Sequence, residues 1–266
     1  MPRSLSRAGW VLFVSVLLAG CVSTPGHATR FGYSVDSPSL ACRHNPAACL
    51  ALYGKEVASA SAVLKVALDV ATRTSIDQEL VDCANQARSN VLLRHEGDFE
   101  TLFPNVIECN QLAKNPRRKG MTWAMQLGVE MHEEAEKCAE ERLGSLRPGG
   151  FNLEQRYRYD SRTGRWKLVS REEVQALEES GNAGELLGSL QPDVVIHAGD
   201  PLQVQEVYDF KFPCANTDEP PPWTLYPQGH PYAGLNQKKV YEEVFLVKNP
   251  ARVVPRLGII RDEKNK

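Results

Sequence analysis

Pro192-Asp193 and, sixteen residues on from Asp193, Asp209-Phe210-Lys211 are the residues of this chain best suited to chemistry. Both lie in runs that read as strands, Asp193 to His197 (DVVIH) and Gln203 to Phe212 (QVQEVYDFKF), with a turn at Ala198-Gly199-Asp200-Pro201 between them. Side chains alternate along a strand, so Asp209 and Lys211 share a face. A carboxylate and an ammonium side by side serve either as a surface ion pair on an exposed strand or as part of a divalent-metal site. With Asp193 as a second carboxylate, oxygen ligands plus waters fit Mg²⁺. Such a metal polarises a phosphoryl oxygen and lowers the pKa of a bound water. Lys211 would orient that water and neutralise developing charge.

The hairpin sets a condition on this site. With Ala198 to Pro201 as a four-residue loop, His197 faces Leu202 and Asp193 faces Glu206, away from the Asp209 side. A loop of three or five residues, or one β-bulge, puts Asp193 opposite Gln205 or Val207 and on the Asp209 face. A shared site therefore predicts an odd loop or a bulge.

Two helices must position these strands. Met121 to Leu143 reads as one long helix, with Leu127, Met131, Ala135 and Cys138 forming its apolar arc. His132 falls at the edge of that arc, beside Gly128 and Ala139, as either a hydrogen-bonded core histidine or a metal ligand. Glu134 and Glu136 sit at opposite edges and are alternatives to it, whereas Glu130, Glu133, Glu140 and Glu141 read as a solvated face. Leu235 to Val247 reads as the second helix.

These pieces together resemble the PD-(D/E)XK nuclease superfamily, whose core runs helix, strands, helix, strand. Gln237-Lys238-Lys239-Val240-Tyr241 is similar to the QxxxY element of its RecB-like branch, and Gly128-Val129-Glu130-Met131-His132 to its GxxxH element. The resemblance covers roughly Met121 to Ile260. It implies a restriction-endonuclease-like α/β fold and hydrolysis of DNA or RNA phosphodiesters with Mg²⁺ or Mn²⁺. It places Asp193, Asp209 and His132 at the metal and makes Lys211 catalytic. Gln237 and Tyr241 would support the site and the nucleic acid.

The rest of the chain divides around this core. Phe151 to Tyr159 and Arg165 to Val169 read as strands joined by a turn at residues 160–164, and Glu172 to Leu187 as helical or irregular. Pro213 to Pro231 is a Pro-rich loop, and Arg252 to Ile260 a closing strand. Arg156, Arg158, Arg162, Arg165, Lys167 and Arg171 gather at the first hairpin, as phosphate contacts or as a solvated face. Tyr157, Tyr159 and Trp166 read as packing. Upstream, Ala48 to about Arg94 reads as two helices, with Leu64, Leu68 and Ala71, then Ile76, Leu80 and Cys83, at helical spacing. The basic breaker Asn115-Pro116-Arg117-Arg118-Lys119-Gly120 puts a boundary between a helical region (48–115) and the nuclease-like domain (116–266).

The whole chain has 266 residues, 42% hydrophobic and 24% charged, with 31 Lys+Arg against 33 Asp+Glu. Such a balance excludes a disordered or fibrous chain and gives no hint of a nucleic-acid partner. At the start, Arg3 and Arg7 precede the apolar run Gly9 to Leu18, which is short for a membrane span but suits a secretory signal. It ends in Leu18-Ala19-Gly20-Cys21, which resembles a bacterial lipobox. The resemblance implies a signal peptide over residues 1–20, a lipid on Cys21, and a lipidated tether over 21–47. Val22 in place of Asp resembles outer-membrane sorting. Six of the seven Cys then remain in an oxidising compartment, where they can pair in 15 ways. No CxxC is present, so a zinc site has little support. If the nuclease-like fold holds, Cys138 and Cys214 come near each other and could bond.

The joint layout resembles lipoprotein toxins that some bacteria exchange between outer membranes. It implies action in a recipient cytoplasm and a cognate immunity protein. The competing readings are a non-catalytic envelope lipoprotein with a nuclease-like fold and a scavenging envelope nuclease.

Overall fold

The computed structural model describes residues 68–160 and 162–262. The expected signal peptide, Cys21, the tether, the helical region up to residue 67, and with them Leu64, Cys42 and Cys49, lie outside the described residues.

Helix α1 (Val70–Arg94) buries Ile76, Leu80, Cys83, Ala84, Ala87 and Val91, a stripe at three- and four-residue spacing. It starts where Asp69 accepts the Thr72 N–H at 2.7 Å, an N-cap bond. After the short helix α2 (Val106–Asn110) comes helix α3 (Trp123–Leu146), which buries Leu127, Met131, Ala135, Ala139 and Leu143, one residue every four. The alanines of both stripes let the two helices lie close, and the Cys83–Cys138 disulfide joins them.

The chain then supplies β1 (Phe151–Leu153), β2 (Arg156–Asp160), β3 (Arg165–Val169), helix α4 (Arg171–Glu179), a 3₁₀ turn (Ala183–Leu186), β4 (Val194–His197) and β5 (Val204–Phe210). Helix α5 (Gln237–Phe245), β6 (Ala251–Val254) and β7 (Gly258–Ile260) complete it. Five strands form a mixed sheet in the order β1-β4-β5-β6-β7, antiparallel except for the β5–β6 pair. That parallel pair needs a crossover, and the Pro-rich loop with α5 provides it.

Alternation along the strands gives the sheet two buried faces. Val194, Ile196, Tyr208, Phe210, Ala251 and Val253 meet α1 and α3. Val195 and Val207 meet Val240, Tyr241 and Phe245 of α5, with Tyr157 and Trp223. The fold is thus mixed α/β, with the sheet between two layers.

Four expectations change. Phe151 to Tyr159 is not one strand: at Glu154 the backbone turns left-handed (φ 47°), so β1 stays in the main sheet while β2 leaves it to pair with β3. The closing strand is instead a β6–β7 hairpin, reversed through Arg256 at φ 68°. The boundary expected near residue 115 falls inside one core, because α1 packs on the same sheet face as α3 and the Cys109–Cys214 disulfide crosses that point. A stripe of Ile, Leu and Ala says that a helix is buried but not against what. The same two disulfides replace the expected Cys138–Cys214 bond: Cys138 faces α1, and Cys214 meets Cys109 at a Cα separation of 6.0 Å.

Candidate functional site

The two carboxylates share a face, and a bulge puts them there. His197 pairs with Val204, which leaves a six-residue loop, 198–203; a ladder continued from that pair would set Asp193 against Tyr208, on the wrong side. The register shifts between Ile196 and His197, Gln205 being the extra residue, and from there Ile196 faces Glu206 and Val194 faces Tyr208. One step further, Asp193 lies opposite Asp209. This is two residues beyond Val207 and four beyond Gln205, the partners expected, because the loop is longer than four residues. Asp193 Oδ2 accepts the Phe210 N–H at 2.6 Å, which pins its carboxylate at the exit of β5.

Lys211 leaves β5 on that face and pairs with Asp209, while its Nζ also donates to Gln237 Oε1 at 2.9 Å. Tyr241, one turn after Gln237 on α5, donates its hydroxyl to Asp209 Oδ1 at 3.3 Å. The i,i+4 spacing on the helix and the i,i+2 spacing on the strand thus converge. Asn236 caps α5 by accepting the Lys239 N–H, which fixes where Gln237 begins the helix.

His132 comes to the site from the other layer. Its Nδ1 lies 2.8 Å from the Gly128 carbonyl, and its Nε2 lies 3.2 Å from the Phe210 carbonyl and 3.5 Å from Asp193 Oδ2. Burial works against a proton on this ring, but the Asp193 hydrogen bond and charge outweigh it and hold the pKa up at about 9. Asp209 is buried, and burial together with the Asp193 charge raises its pKa against the pull of Lys211 and His132. Burial and the Asp209 charge likewise raise Tyr241. Two carboxylates are therefore crowded at the end of β5 and balanced by two cations.

The alternatives to His132 point elsewhere. Glu134 pairs with Arg94 and Lys137, and Glu136 with Arg171. The basic hairpin is largely spent inside the protein as well: Arg158 and Lys167 pair with Glu173, and Arg156 donates to Ser189 and Gln191. Lys238 bonds the Asp262 carbonyl, and Lys239 pairs with Glu243.

Sequence reasoning missed two neighbours. Trp223, from the Pro-rich loop, lies between Lys211 and Arg252, each cation 5.7 Å from its ring centre, and its Nε1 donates to Asp262. Its only signal was being a Trp in a loop. Glu154, at the left-handed turn after β1, donates its N–H to the Asp193 carbonyl, and its carboxyl pKa is raised by burial and by the Glu136 and Asp193 charges. Nothing in its sequence context marked it.

The donors can be tested against a hard divalent cation. Mg²⁺ binds at about 2.1 Å in octahedral geometry, so adjacent donors lie about 3 Å apart. The Phe210 carbonyl and Asp193 Oδ2 are oxygen donors of the right kind, and His132 Nε2 stands 3.2 Å and 3.5 Å from them, a spacing that suits a ligand only once the ring gives up its Nε2 proton. Asp209 is drawn aside by Lys211 and Tyr241, and among the described residues no group of three His, Cys, Asp or Glu side chains is placed to hold a metal ion. No protein-family model, curated protein or solved structure matches the chain. No helix among the described residues is long and apolar enough to cross a membrane.

Proposed function

We propose that the chain is a metal-dependent nuclease of the PD-(D/E)XK kind. The observation that carries this reading is the bulge at Gln205, which brings Asp193 and Asp209 onto one face beside Lys211, Gln237, Tyr241 and His132. Motif residues from four separate stretches of chain meet at one point, which a chance pattern would not require.

In this reading Asp193, the Phe210 carbonyl and a deprotonated His132 would hold Mg²⁺ or Mn²⁺, with the Asp209 carboxylate beside them. A bound cation of this kind supplies Lewis-acid polarisation of the scissile phosphate and a more acidic water. Lys211, held by Asp209 and Gln237, would give its third N–H to the attacking water or a phosphate oxygen. Gln237 keeps the Lys211 ammonium at the strand exit, and Tyr241 fixes the orientation of Asp209. The wider reading keeps the lipid on Cys21, an outer-membrane position, a role as a toxin and a cognate immunity protein. These rest on the lipobox and the layout of the chain.

The test is Mg²⁺- or Mn²⁺-dependent cleavage of DNA and RNA by the full chain. Asp193→Asn, Asp209→Asn and Lys211→Ala are each expected to lower the rate at least about a hundredfold. Mg²⁺ should also raise the thermal midpoint of the wild type and not that of Asp193→Asn. Cleavage retained in Asp209→Asn and Lys211→Ala overturns the assignment. No cleavage by the wild type on any substrate, with no thermal response to metal, favours the non-catalytic envelope lipoprotein.

A further inference from the structure

A second surface stands apart from this site. Within residues 102–112, Leu102, Phe103, Val106, Ile107 and Leu112 all stand in solvent, Val106 at 67%, Ile107 at 75% and Leu112 at 68% exposure. Single exposed apolar residues need no explanation, but five in one short segment do. The segment is held firmly. Asn105 and Glu108 close α2 with a reciprocal capping box, and Cys109 is bonded to Cys214. The apolar side chains are therefore presented by a fixed platform and are not left out by loose packing.

The same segment is basic. Residues 102–119 hold Lys114, Arg117, Arg118 and Lys119 against the single acid Glu108. Glu108 is turned inward, its carboxylate accepting the Glu100 and Asn105 N–H groups at 2.8 Å each. Lys114 pairs with Asp98 and Arg117 with Glu133, but Arg118 and Lys119 are exposed and form no ion pair among the described residues. A rigid apolar ridge followed by free cations matches an anionic bilayer surface, whose boundary accepts apolar side chains while its phosphates meet Lys and Arg. An apolar protein partner would leave those cations without a role.

We propose that residues 102–119 form a membrane-contact surface, with Val106, Ile107 and Leu112 entering the headgroup boundary and Arg118 and Lys119 meeting anionic headgroups. The inference uses none of the nuclease residues and stands or falls separately.

The test uses the full chain with Cys21→Ser, so that no lipid on Cys21 contributes. The probes are vesicles of phosphatidylethanolamine with phosphatidylglycerol, and vesicles of phosphatidylcholine alone. Backbone amides of residues 102–112 should gain hydrogen-exchange protection on the anionic vesicles and less on the neutral ones. The triple variant Val106→Ser/Ile107→Ser/Leu112→Ser, at exposed sites that leave the thermal midpoint unchanged, should lose that protection and lower the bound fraction about tenfold. Arg118→Glu/Lys119→Glu should weaken binding to the anionic vesicles alone. The proposal is overturned if the amides gain no protection from vesicles or if the triple variant binds as the wild type does. It is overturned equally by protection that is already present without vesicles. Such protection would mark a second copy if it grows with protein concentration, and a cover from this chain itself if it does not.

Discussion

Asp209 and Lys211 form a pair that neither member can leave cheaply. Asp209 is buried, its carboxylate is crowded by Asp193, and Lys211 is its main compensation. Breaking a buried pair from one side leaves a charge without solvent or partner. Lys211→Met should therefore cost about 3–5 kcal/mol. Asp209→Asn/Lys211→Met should recover most of that loss, because no charge is stranded. Urea unfolding of the two single variants and the double variant measures the coupling, and additive losses would show that the two side chains do not depend on each other. The members of this site were legible because each lies on a regular element or one residue beyond its end, where spacing still gives the face: two residues apart at the exit of β5, four apart on α5. Trp223 and Glu154 were not, since one sits in an irregular loop and the other at a point where the chain changes sheets. Neither place has a period to read.

Among the elements, β4 and β5 carry the most consequence. Their existence was plain from the apolar runs, and the need for a bulge followed from parity, but its place depended on a loop length that Ala198 to Pro201 does not fix. Leu202 lies exposed in the six-residue loop, whereas Gln205 is the bulge and accepts a hydrogen bond from Arg147. Deleting Leu202 should shorten the loop and leave the register intact, within about 1 kcal/mol of wild-type stability. Deleting Gln205 removes the bulge residue and its Arg147 bond, but Val204 then adjoins Glu206 and Asp193 stays opposite Asp209, so it should cost about 1.5–3 kcal/mol and leave any thermal response to metal in place. Denaturation midpoints measure the difference between the two deletions, and a metal response lost on deleting Gln205 would show that the bulge itself orients Asp193.

His197, at the same irregularity, makes the hairpin sensitive to acid. Its Nδ1 accepts the Gly199 N–H at 3.1 Å, a bond that a protonated ring cannot make. Burial lowers its pKa from 6.5 and outweighs the upward pull of the Phe151 backbone; the Arg147 guanidinium lowers it further and Asp200 opposes. The unfolded ring takes a proton before the folded one does. Its contribution is thus full above about pH 6.5 and is lost as the pH falls below that. His197→Gln keeps an acceptor for Gly199 without titrating, and should flatten the fall in stability between about pH 7 and pH 5. An unchanged slope would place the acid sensitivity elsewhere.

For the whole molecule, the two disulfides among the described residues divide the work between stability and site. Cys83–Cys138 joins α1 to α3 across 55 residues, and Cys109–Cys214 closes 105. Loop entropy gives each an upper value of about 4–5 kcal/mol. Their positions differ more than their sizes. Cys83–Cys138 lies between two helices that Ile76, Leu80, Ala135 and Ala139 already hold together. Cys214 follows Lys211 by three residues, on a segment fixed otherwise by Arg88, which bonds the Pro213 carbonyl at 2.8 Å and Asn216 at 2.9 Å. Cys83→Ala/Cys138→Ala should therefore lower the denaturation midpoint and, on the proposed nuclease reading, leave cleavage near the wild-type rate. Cys109→Ala/Cys214→Ala should lower both, and removing Arg88 as well should abolish what activity remains. Pairing of this kind could not be read from spacing, because it depends on which helices the fold brings together. If nucleic-acid cleavage occurs after transfer into a reducing cytoplasm, the Arg88 clamp is what holds Lys211 in place once Cys109 and Cys214 are thiols. An Arg88→Met variant should then cleave nearly normally when oxidised and fail under reductant, whereas the wild type should cleave in both conditions.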